Sequence, residues 1–182
     1  MPRLMSFMLT TQQFRDQTKT VTRRLGWKHL KAGDIVVGCE QCQGLRKGQT
    51  ITKLGPIQVV STRWQMLRAI TLDEVIREGF PDMTPAQFVE FFCQTHRCEP
   101  DRPVNRIEFR YLTSEVLAYI LTASQLKLLA SLRSAFSSEW FPEADAVKLL
   151  GATHHPWSRP LYYKGCLDRR LRTNGLEYRL MV

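Results

Sequence analysis

The chain has 182 residues, a length that allows one large domain or two small ones with a core of normal size. Hydrophobic residues make up 43% and charged residues 24%, a globular composition that excludes a disordered, collagenous or coiled-coil chain. The formal net charge of +9, from 26 Lys and Arg against 17 Asp and Glu, favours polyanionic partners such as nucleic acid.

The N-terminal segment 1–8 lacks the long apolar stretch of a signal peptide. No apolar run elsewhere approaches the roughly 20 residues that cross a bilayer. We therefore expect a soluble, cytoplasmic protein with no membrane partner. Its five cysteines, an odd number, are expected to be reduced thiols in that compartment.

Turn and strand signals dominate residues 1–112. The turn 31–34 precedes the apolar run 35–37, and the turn 54–56 precedes the apolar run 57–60. Both runs predict short strands. Apolar and charged residues alternate from Arg106 to Leu112, which predicts a half-buried strand that closes this first domain.

Two helices are predicted between these strands. Thr71 and Glu74 have the spacing of a capping box, in which Thr71 is the N-cap and Glu74 reaches back to it, and Gly79 ends the helix. Thr84-Pro85 opens a second helix, with proline at its first position. Its apolar stripe is expected in the core and consists of Phe88, Val89, Phe91 and Phe92.

After Leu112 the pattern changes to helices and predicts a second domain, 113–182. Apolar residues in 116–121 precede a capping box at Thr122 and Gln125, which opens a leucine-rich helix. The segment 142–151 predicts a short helix, because proline stands near its start and glycine at its end. The runs 167–171 and 176–180 predict a hairpin through a segment that contains Asn174-Gly175.

Four short segments between residues 14 and 112 resemble the ASCH family, a small β-barrel of the PUA-like class that is associated with RNA. They are Lys-Thr-Val-Thr-Arg-Arg at 19–24, Lys-Ala-Gly-Asp at 31–34, Arg-Glu-Gly-Phe at 77–80 and Ile-Glu-Phe at 107–109. The resemblance implies an α+β fold, in which a PUA-like barrel with flanking helices forms the domain 1–112. It also implies RNA or a nucleoside as the partner.

Some ASCH proteins are amidohydrolases that remove the acetyl group of N4-acetylcytidine with a lysine, a threonine three residues later and a distant glutamate. Lys19, Thr22 and Glu78 occupy those positions here. A lysine can activate a threonine hydroxyl as nucleophile if desolvation lowers the lysine pKa. Glu78 would position the substrate or pass a proton to the leaving amine. Because residues i and i+3 of a straight strand point to opposite faces, Lys19 and Thr22 cooperate only if the chain turns between them.

Each of these residues also has an interpretation without catalysis. Lys19 and Arg24 would then be phosphate contacts, Thr22 a strand residue, and Glu78 a capping or salt-bridging acid. The protein would be a non-catalytic regulator that binds RNA or DNA, in keeping with the frequent occurrence of similar ASCH proteins in phages and prophages. Ribonuclease activity, found in some ASCH relatives, is a third hypothesis.

Residues 122 to 182 resemble a winged helix-turn-helix module in the segment 121–126, the short helix that ends at Gly151, the step 164–167 and the arginine-rich hairpin. The resemblance implies a small winged-helix-like domain that follows the barrel and docks on DNA. A helix would enter the major groove, and the hairpin would contact the backbone or the minor groove.

The recognition-helix segment 153–163 departs from the winged-helix pattern, because it contains Pro156 and Pro160. Pro160 falls in the predicted interior and is expected to kink or break the helix. RNA or a protein therefore stays open as the partner of this module. The predicted nucleic-acid contacts of both domains are Arg23, Arg24, Arg159, Arg169, Arg170, Arg172 and Arg179.

Cysteine and histidine spacing raises the hypothesis of a structural zinc ion; no other cofactor is expected. Cys39 and Cys42 have the two-residue gap of a zinc knuckle, and Cys93, His96 and Cys98 supply further ligands. Four of these five would close a tetrahedral site. The alternative is that the thiols are small buried hydrophobes.

Overall fold

The computed structural model describes residues 3–112, 116, 121–150, 158–164, 166–173 and 175–181. It confirms the predicted α+β class, with a curled five-stranded half-barrel sheet, several helices and a second sheet of three strands. The five strands are β1 (Arg3–Ser6), β2 (Val21–Arg24), β3 (Ile35–Cys39), β4 (Lys53–Met66) and β5 (Pro103–Tyr111).

The order of the five-stranded sheet is β1-β3-β4-β5-β2. The pair β1 and β3 is parallel, and the other neighbours are antiparallel. Apolar side chains from the sheet and the N-terminal segment form its core, where Phe7 and Phe109 pack against Phe14. Gly38 of β3 makes this packing possible, because a Cβ atom there would lie 2.5 Å from the Phe14 ring.

Strand β4 is longer than the predicted run 57–60, and it includes the segment predicted as a turn. Pro56 pairs with Val37 of β3, whereas β5 pairs with β4 only from Ile57 onward. At Pro56 one side of β4 is therefore a sheet edge, where the missing N–H of proline breaks no ladder. Gly55-Pro56 therefore lies within a strand and not in the turn that its sequence predicted, because this edge position tolerates proline.

Three helices accompany this sheet: α1 (Thr11–Arg15), α2 (Leu72–Arg77) and α3 (Pro85–His96). Helix α3 begins at Pro85 as predicted, and a capping box that was not predicted precedes it, because the Thr84 and Gln87 side chains each bind the other's backbone N–H. Only half of the α2 box forms: Thr71 caps the N–H of Glu74, but the Glu74 carboxylate binds arginines instead. Among the described residues no helix is both long and apolar enough to span a membrane.

The C-terminal part comprises α4 (Ala123–Phe136), β6 (Phe141–Pro142), α5 (Glu143–Leu150), α6 (Ser158–Tyr163), β7 (Leu167–Arg172) and β8 (Gly175–Leu180). Its sheet has the order β6-β8-β7, and the predicted hairpin of β7 and β8 is confirmed. The core includes Leu132, Phe141, Leu161 and Tyr178. The Lys53 ammonium of β4 and the buried Asp168 carboxylate of β7 form an ion pair that joins this part to the first sheet.

Helix α6 differs from the recognition helix predicted over 153–163. It begins at Ser158 and ends at Tyr163, so that Pro160 lies in its first turn rather than in its interior. The first turn tolerates proline because its N–H groups have no intrahelical acceptor. The predicted break at Pro160 therefore does not occur. Pro156 lies outside the described residues.

Candidate active site

A cavity of about 200 Å³ lies at the end of the first sheet, beside helices α2 and α3. Three chain segments line it: 6–10, 19–24 and 78–96. One wall is polar and the other aromatic. The polar wall is formed by Lys19, Thr22, Arg23, Arg24 and Glu78, and the aromatic wall by Phe80, Phe88, Phe91 and Phe92. Phe7 lies on the polar side, with its ring centre 5.4 Å from the Arg24 guanidinium.

The three residues predicted to be catalytic line this one cavity. Lys19, Thr22 and Glu78 are only 2%, 3% and 3% exposed. The Lys19 ammonium donates a hydrogen bond to Glu78 Oε2 at 2.8 Å and another to the Glu78 carbonyl oxygen. Within the described part of the chain, the Thr22 hydroxyl has no hydrogen-bond partner. Lys19 is thus held by the glutamate and not by the threonine in this state.

Lys19 and Thr22 face the same cavity because regular strand structure begins only after Lys19. The Lys19 N–H donates to the Gln13 carbonyl and the Thr20 N–H to that of Arg77, whereas pairing with β5 begins at Val21. The alternation of a straight strand therefore does not apply between positions 19 and 22. The turn that the sequence analysis required between the two residues is not observed in segment 19–22, and the two side chains share the cavity without a hydrogen bond between them.

Burial changes the acidity of Lys19. Desolvation lowers its pKa below the usual lysine value, although the adjacent Glu78 carboxylate acts in the opposite direction by favouring the ammonium form. A lowered pKa increases the fraction of neutral amine at a given pH. More of Lys19 is therefore available near neutral pH to accept a proton than of an exposed lysine, although the amine is intrinsically a weaker base.

Glu78 is positioned by the end of helix α2. Its N–H donates to the Glu74 carbonyl as the helix closes, and Gly79 then turns the chain with a φ of +94°. A side chain at position 79 would be strained at that φ, and its Cβ would lie 3.2 Å from Gln13 and Thr10 atoms. The helix end predicted at Gly79 thus delivers Glu78 to the cavity.

A cluster of buried ion pairs supports this wall from behind. Arg23 donates to Glu78 at 3.2 Å and also binds Glu74, and Arg106 of β5 donates to Glu74 at 2.6 Å. Burial by itself would raise the pKa of Glu74, but the hydrogen bond from Arg106 and the charge of Arg23 lower it overall. Hydrogen bonds from Arg77 and Arg106 similarly lower the pKa of Glu108. These carboxylates are therefore held ionised.

Two sequence predictions change because of this cluster. Arg23, predicted as a nucleic-acid contact, is buried with a fully covered side chain between Glu74 and Glu78. Its charge is therefore neutralised inside the protein and is not offered at the surface. Strand β5, predicted to be half-buried, is buried on both faces at Arg106 because helix α2 brings Glu74 over it.

The aromatic wall is a feature that the sequence analysis assigned only to the core. Phe88 and Phe92 are indeed buried, but together with Phe91 they also form the side of the cavity. The sequence signal for this wall is the apolar stripe of α3. Periodicity shows which face of a helix is covered, but it does not show whether protein or a ligand covers it.

The predicted zinc ligands do not come together. In the described part of the chain no three His, Cys, Asp or Glu side chains are arranged to hold a metal ion. Burial and the nearby Cys42 thiol raise the pKa of Cys39 to about 12, and burial with the nearby Cys98 thiol raises that of Cys93. The four-ligand zinc hypothesis thus has no support in the described structure.

The other predicted nucleic-acid contacts lie in different settings. Arg24 lines the cavity and donates to the Ser6 carbonyl oxygen. The Arg159 side chain lies outside the described part of the structure. The remaining four are on the β7–β8 hairpin, where Arg169 and Arg172 are exposed, Arg170 pairs with Glu177 at 2.5 Å, and Arg179 lies 3.6 Å from Asp168.

Comparison with known proteins gave one structural similarity to report. A crystal structure of protein EF3133 from Enterococcus faecalis V583, of family DUF984, is similar to this chain with a TM-score of 0.46 and 17% sequence identity. The similarity covers 62% of this chain and 80% of the other chain. No family model matches the sequence, and no curated protein matches it.

Proposed function

We propose that the first domain is an ASCH-like, PUA-like barrel whose cavity binds a nucleobase and hydrolyses the amide of an N4-acylated cytosine base or nucleoside. The observation that carries the proposal is the convergence of Lys19, Thr22 and Glu78 in one buried cavity with an aromatic wall. Drug-sized ligands occupy pockets of roughly 300–1,000 Å³. A cavity of about 200 Å³ suits a smaller planar group such as one base.

The chemistry follows from the roles that the cavity offers. Neutral Lys19 removes the proton of the Thr22 hydroxyl, and the Thr22 oxygen attacks the acyl carbonyl carbon. The cationic Arg24 side chain on the same wall favours the oxyanion that forms. The carbon–nitrogen bond then breaks, and the leaving N4 nitrogen takes a proton from the Lys19 ammonium, which Glu78 orients. Water hydrolyses the threonine ester and releases the carboxylic acid and the free hydroxyl.

A chromatographic assay with N4-acetylcytidine and related N4-acylated cytosines tests this proposal. We expect the substrate peak to be replaced by cytidine and an equal amount of acetate. If none of the acylated bases and nucleosides is converted, the hydrolysis proposal is wrong. The cavity would then belong to a protein that binds bases without turnover, the alternative that the sequence leaves open.

The pH profile of this reaction is expected to report on Lys19. Because the neutral amine is the active form and burial lowers its pKa, kcat/KM should rise with pH through a midpoint below the usual lysine value of 10.5. Lys19→Met keeps the length of the side chain but removes the amine, and it should abolish this rise together with most activity. A profile of unchanged shape in the variant would exclude Lys19 as the base.

A second function, docking on nucleic acid, is favoured by the C-terminal part. Among its described residues the element order is helix, strand, helix, helix, strand, strand, and the short first of these strands pairs with the last. This order agrees with a winged-helix-like module in which the β7–β8 hairpin is the wing. Arg169 and Arg172 are exposed on that hairpin, with the Arg169 guanidinium 4.5 Å from the Tyr162 ring centre and the Arg172 Nε atom 3.9 Å from Glu177. We propose that they contact phosphates of DNA or RNA.

Removing these two exposed arginines is expected to weaken nucleic-acid binding without regard to sequence. In Arg169→Ala/Arg172→Ala the slope of log affinity against log salt for duplex DNA should fall by about 2, because about one counterion is released per phosphate contact. Fluorescence anisotropy over a salt series measures this slope. The control is Arg15→Ala/Arg68→Ala, which removes the same charge from exposed pairs of the first domain. Equal slopes in the two variants would exclude the hairpin as the contact.

A further inference from the structure

A second, more open depression adjoins the cavity, and we call it the outer groove. Its volume is about 590 Å³, and it shares Arg24 and His96 with the cavity. The two depressions therefore meet at these two side chains, which places a ligand in the cavity next to the groove. The outer groove is lined by Arg3, Leu4, Arg24, Leu25, Gly26, Trp27 and His96.

The outer groove is cationic. The Arg3 side chain is 48% exposed, and its one acidic neighbour in the described structure is Asp34, 3.0 Å away on the surface. Arg24 spans both depressions, and its Nε atom is buried without a hydrogen-bond partner among the described residues. None of the described residues that line the groove carries a carboxylate. Arginine forks match the oxygens of a phosphate group, which would satisfy donors of this kind.

Trp27 supplies a fixed aromatic face beside these arginines. Its backbone has a φ of +65°, a conformation that bulky residues rarely adopt. The buried Asn105 side chain holds it there by donating to the Trp27 carbonyl oxygen at 3.0 Å. The Arg3 guanidinium lies 5.6 Å from the Trp27 ring centre. An aromatic ring next to guanidinium groups is a combination that binds the base and phosphate of a nucleotide chain.

We infer that the substrate carries a phosphate, and that the outer groove binds this phosphate while the cavity holds the acylated base. This inference rests on the proposed function, because it requires the base to occupy the cavity. Two classes of substrate carry both a base and such a phosphate: a mononucleotide and a single-stranded oligonucleotide. In the second case the neighbouring base would stack on Trp27.

The test compares three substrates in the same assay: N4-acetylcytidine, its 5′-monophosphate and a short single-stranded RNA that contains one N4-acetylcytidine. We expect kcat/KM to be about tenfold or more higher for the phosphorylated substrates, the increase typical of one charge-assisted phosphate contact. In Arg3→Ala the ratio of phosphorylated to unphosphorylated substrate should fall toward one. Arg68→Ala, which removes a surface arginine that also pairs with an aspartate but lies outside both depressions, should leave the ratio unchanged.

Binding of unacetylated cytidine and cytidine 5′-monophosphate, measured by calorimetry, separates failure of this inference from failure of the hydrolysis proposal. Turnover of all three substrates at equal kcat/KM, with no effect of Arg3→Ala, would overturn the phosphate contact and leave the hydrolysis proposal intact. Absence of all turnover, with tighter binding of the monophosphate that Arg3→Ala removes, would support the groove and overturn hydrolysis. If kcat/KM is higher for the RNA than for the monophosphate, and if Trp27→Ala removes this difference, the phosphate that the groove binds belongs to an oligonucleotide.

Discussion

Replacing Thr22 by valine is expected to reduce kcat for N4-acetylcytidine by about a thousandfold or more, the usual consequence of removing a catalytic nucleophile. Valine has the shape of threonine and lacks only the hydroxyl. Within the described structure that hydroxyl makes no hydrogen bond, so its loss leaves no buried group unpaired. The fold and the affinity for cytidine should therefore be retained while turnover is lost.

The matched control for this variant is Thr18→Val. Thr18 lies one residue before Lys19 but is exposed and does not line the cavity. Its replacement should leave kcat within about twofold, because surface substitutions of this kind change little. Full activity of Thr22→Val would exclude the threonine as nucleophile and point to direct attack by water. Loss of activity in both variants would indicate a disturbed segment 18–22.

Replacing Glu74 by glutamine is expected to destabilise the protein by about 3–5 kcal/mol, the cost of breaking a buried ion pair by removing one partner. Glu74 is buried and accepts hydrogen bonds from the buried guanidinium groups of Arg23 and Arg106. Glutamine fills the same space but removes the negative charge that both cations share, so that Arg23 keeps only Glu78 and Arg106 only Glu108 as a carboxylate partner. At about 2–4 °C per kcal/mol for a chain of this length, Tm should fall by roughly 6–20 °C.

The control for Glu74 is a glutamate in an exposed pair. Glu40 lies 2.5 Å from Arg15, and both side chains are more than one-third exposed. Glu40→Gln should therefore change the free energy of unfolding by less than about 1 kcal/mol. Thermal unfolding followed by circular dichroism measures both variants. Equal and small shifts would show that the buried cluster is dispensable for stability and that another contact positions Arg23 and Glu78.

Local signals were sufficient to predict several elements. The helix start at Thr84-Pro85, the Thr122 capping box and the hairpin around Gly175 all occur, because each depends on residues within a few positions of one another. Prediction from local sequence fails at Glu74. Its spacing from Thr71 predicted a reciprocal cap, but Arg23 and Arg106, distant in sequence, compete for the same carboxylate and bind it instead.

One part of the candidate site was likewise predicted from the sequence, and another part was not. Lys19, Thr22 and Glu78 were proposed from their resemblance to a family pattern, and the structure places them on one cavity. The aromatic wall and the outer groove were not predicted. A helical stripe such as Phe88 and Phe92 has the same sequence pattern whether it meets protein or a ligand, and Trp27 meets Arg3 only through long-range packing.

The sequence by itself determined the α+β class, the turns and caps that begin and end several elements, and the strongly basic charge, since these depend on local chemistry and composition. Only the tertiary structure decided that Arg23 is buried rather than exposed, that Arg106 lies under a helix, and that Pro160 is tolerated at a helix start. The physical reason is that burial and ion pairing depend on which distant segments pack together. That information lies in the fold as a whole and not in any one stretch of the chain.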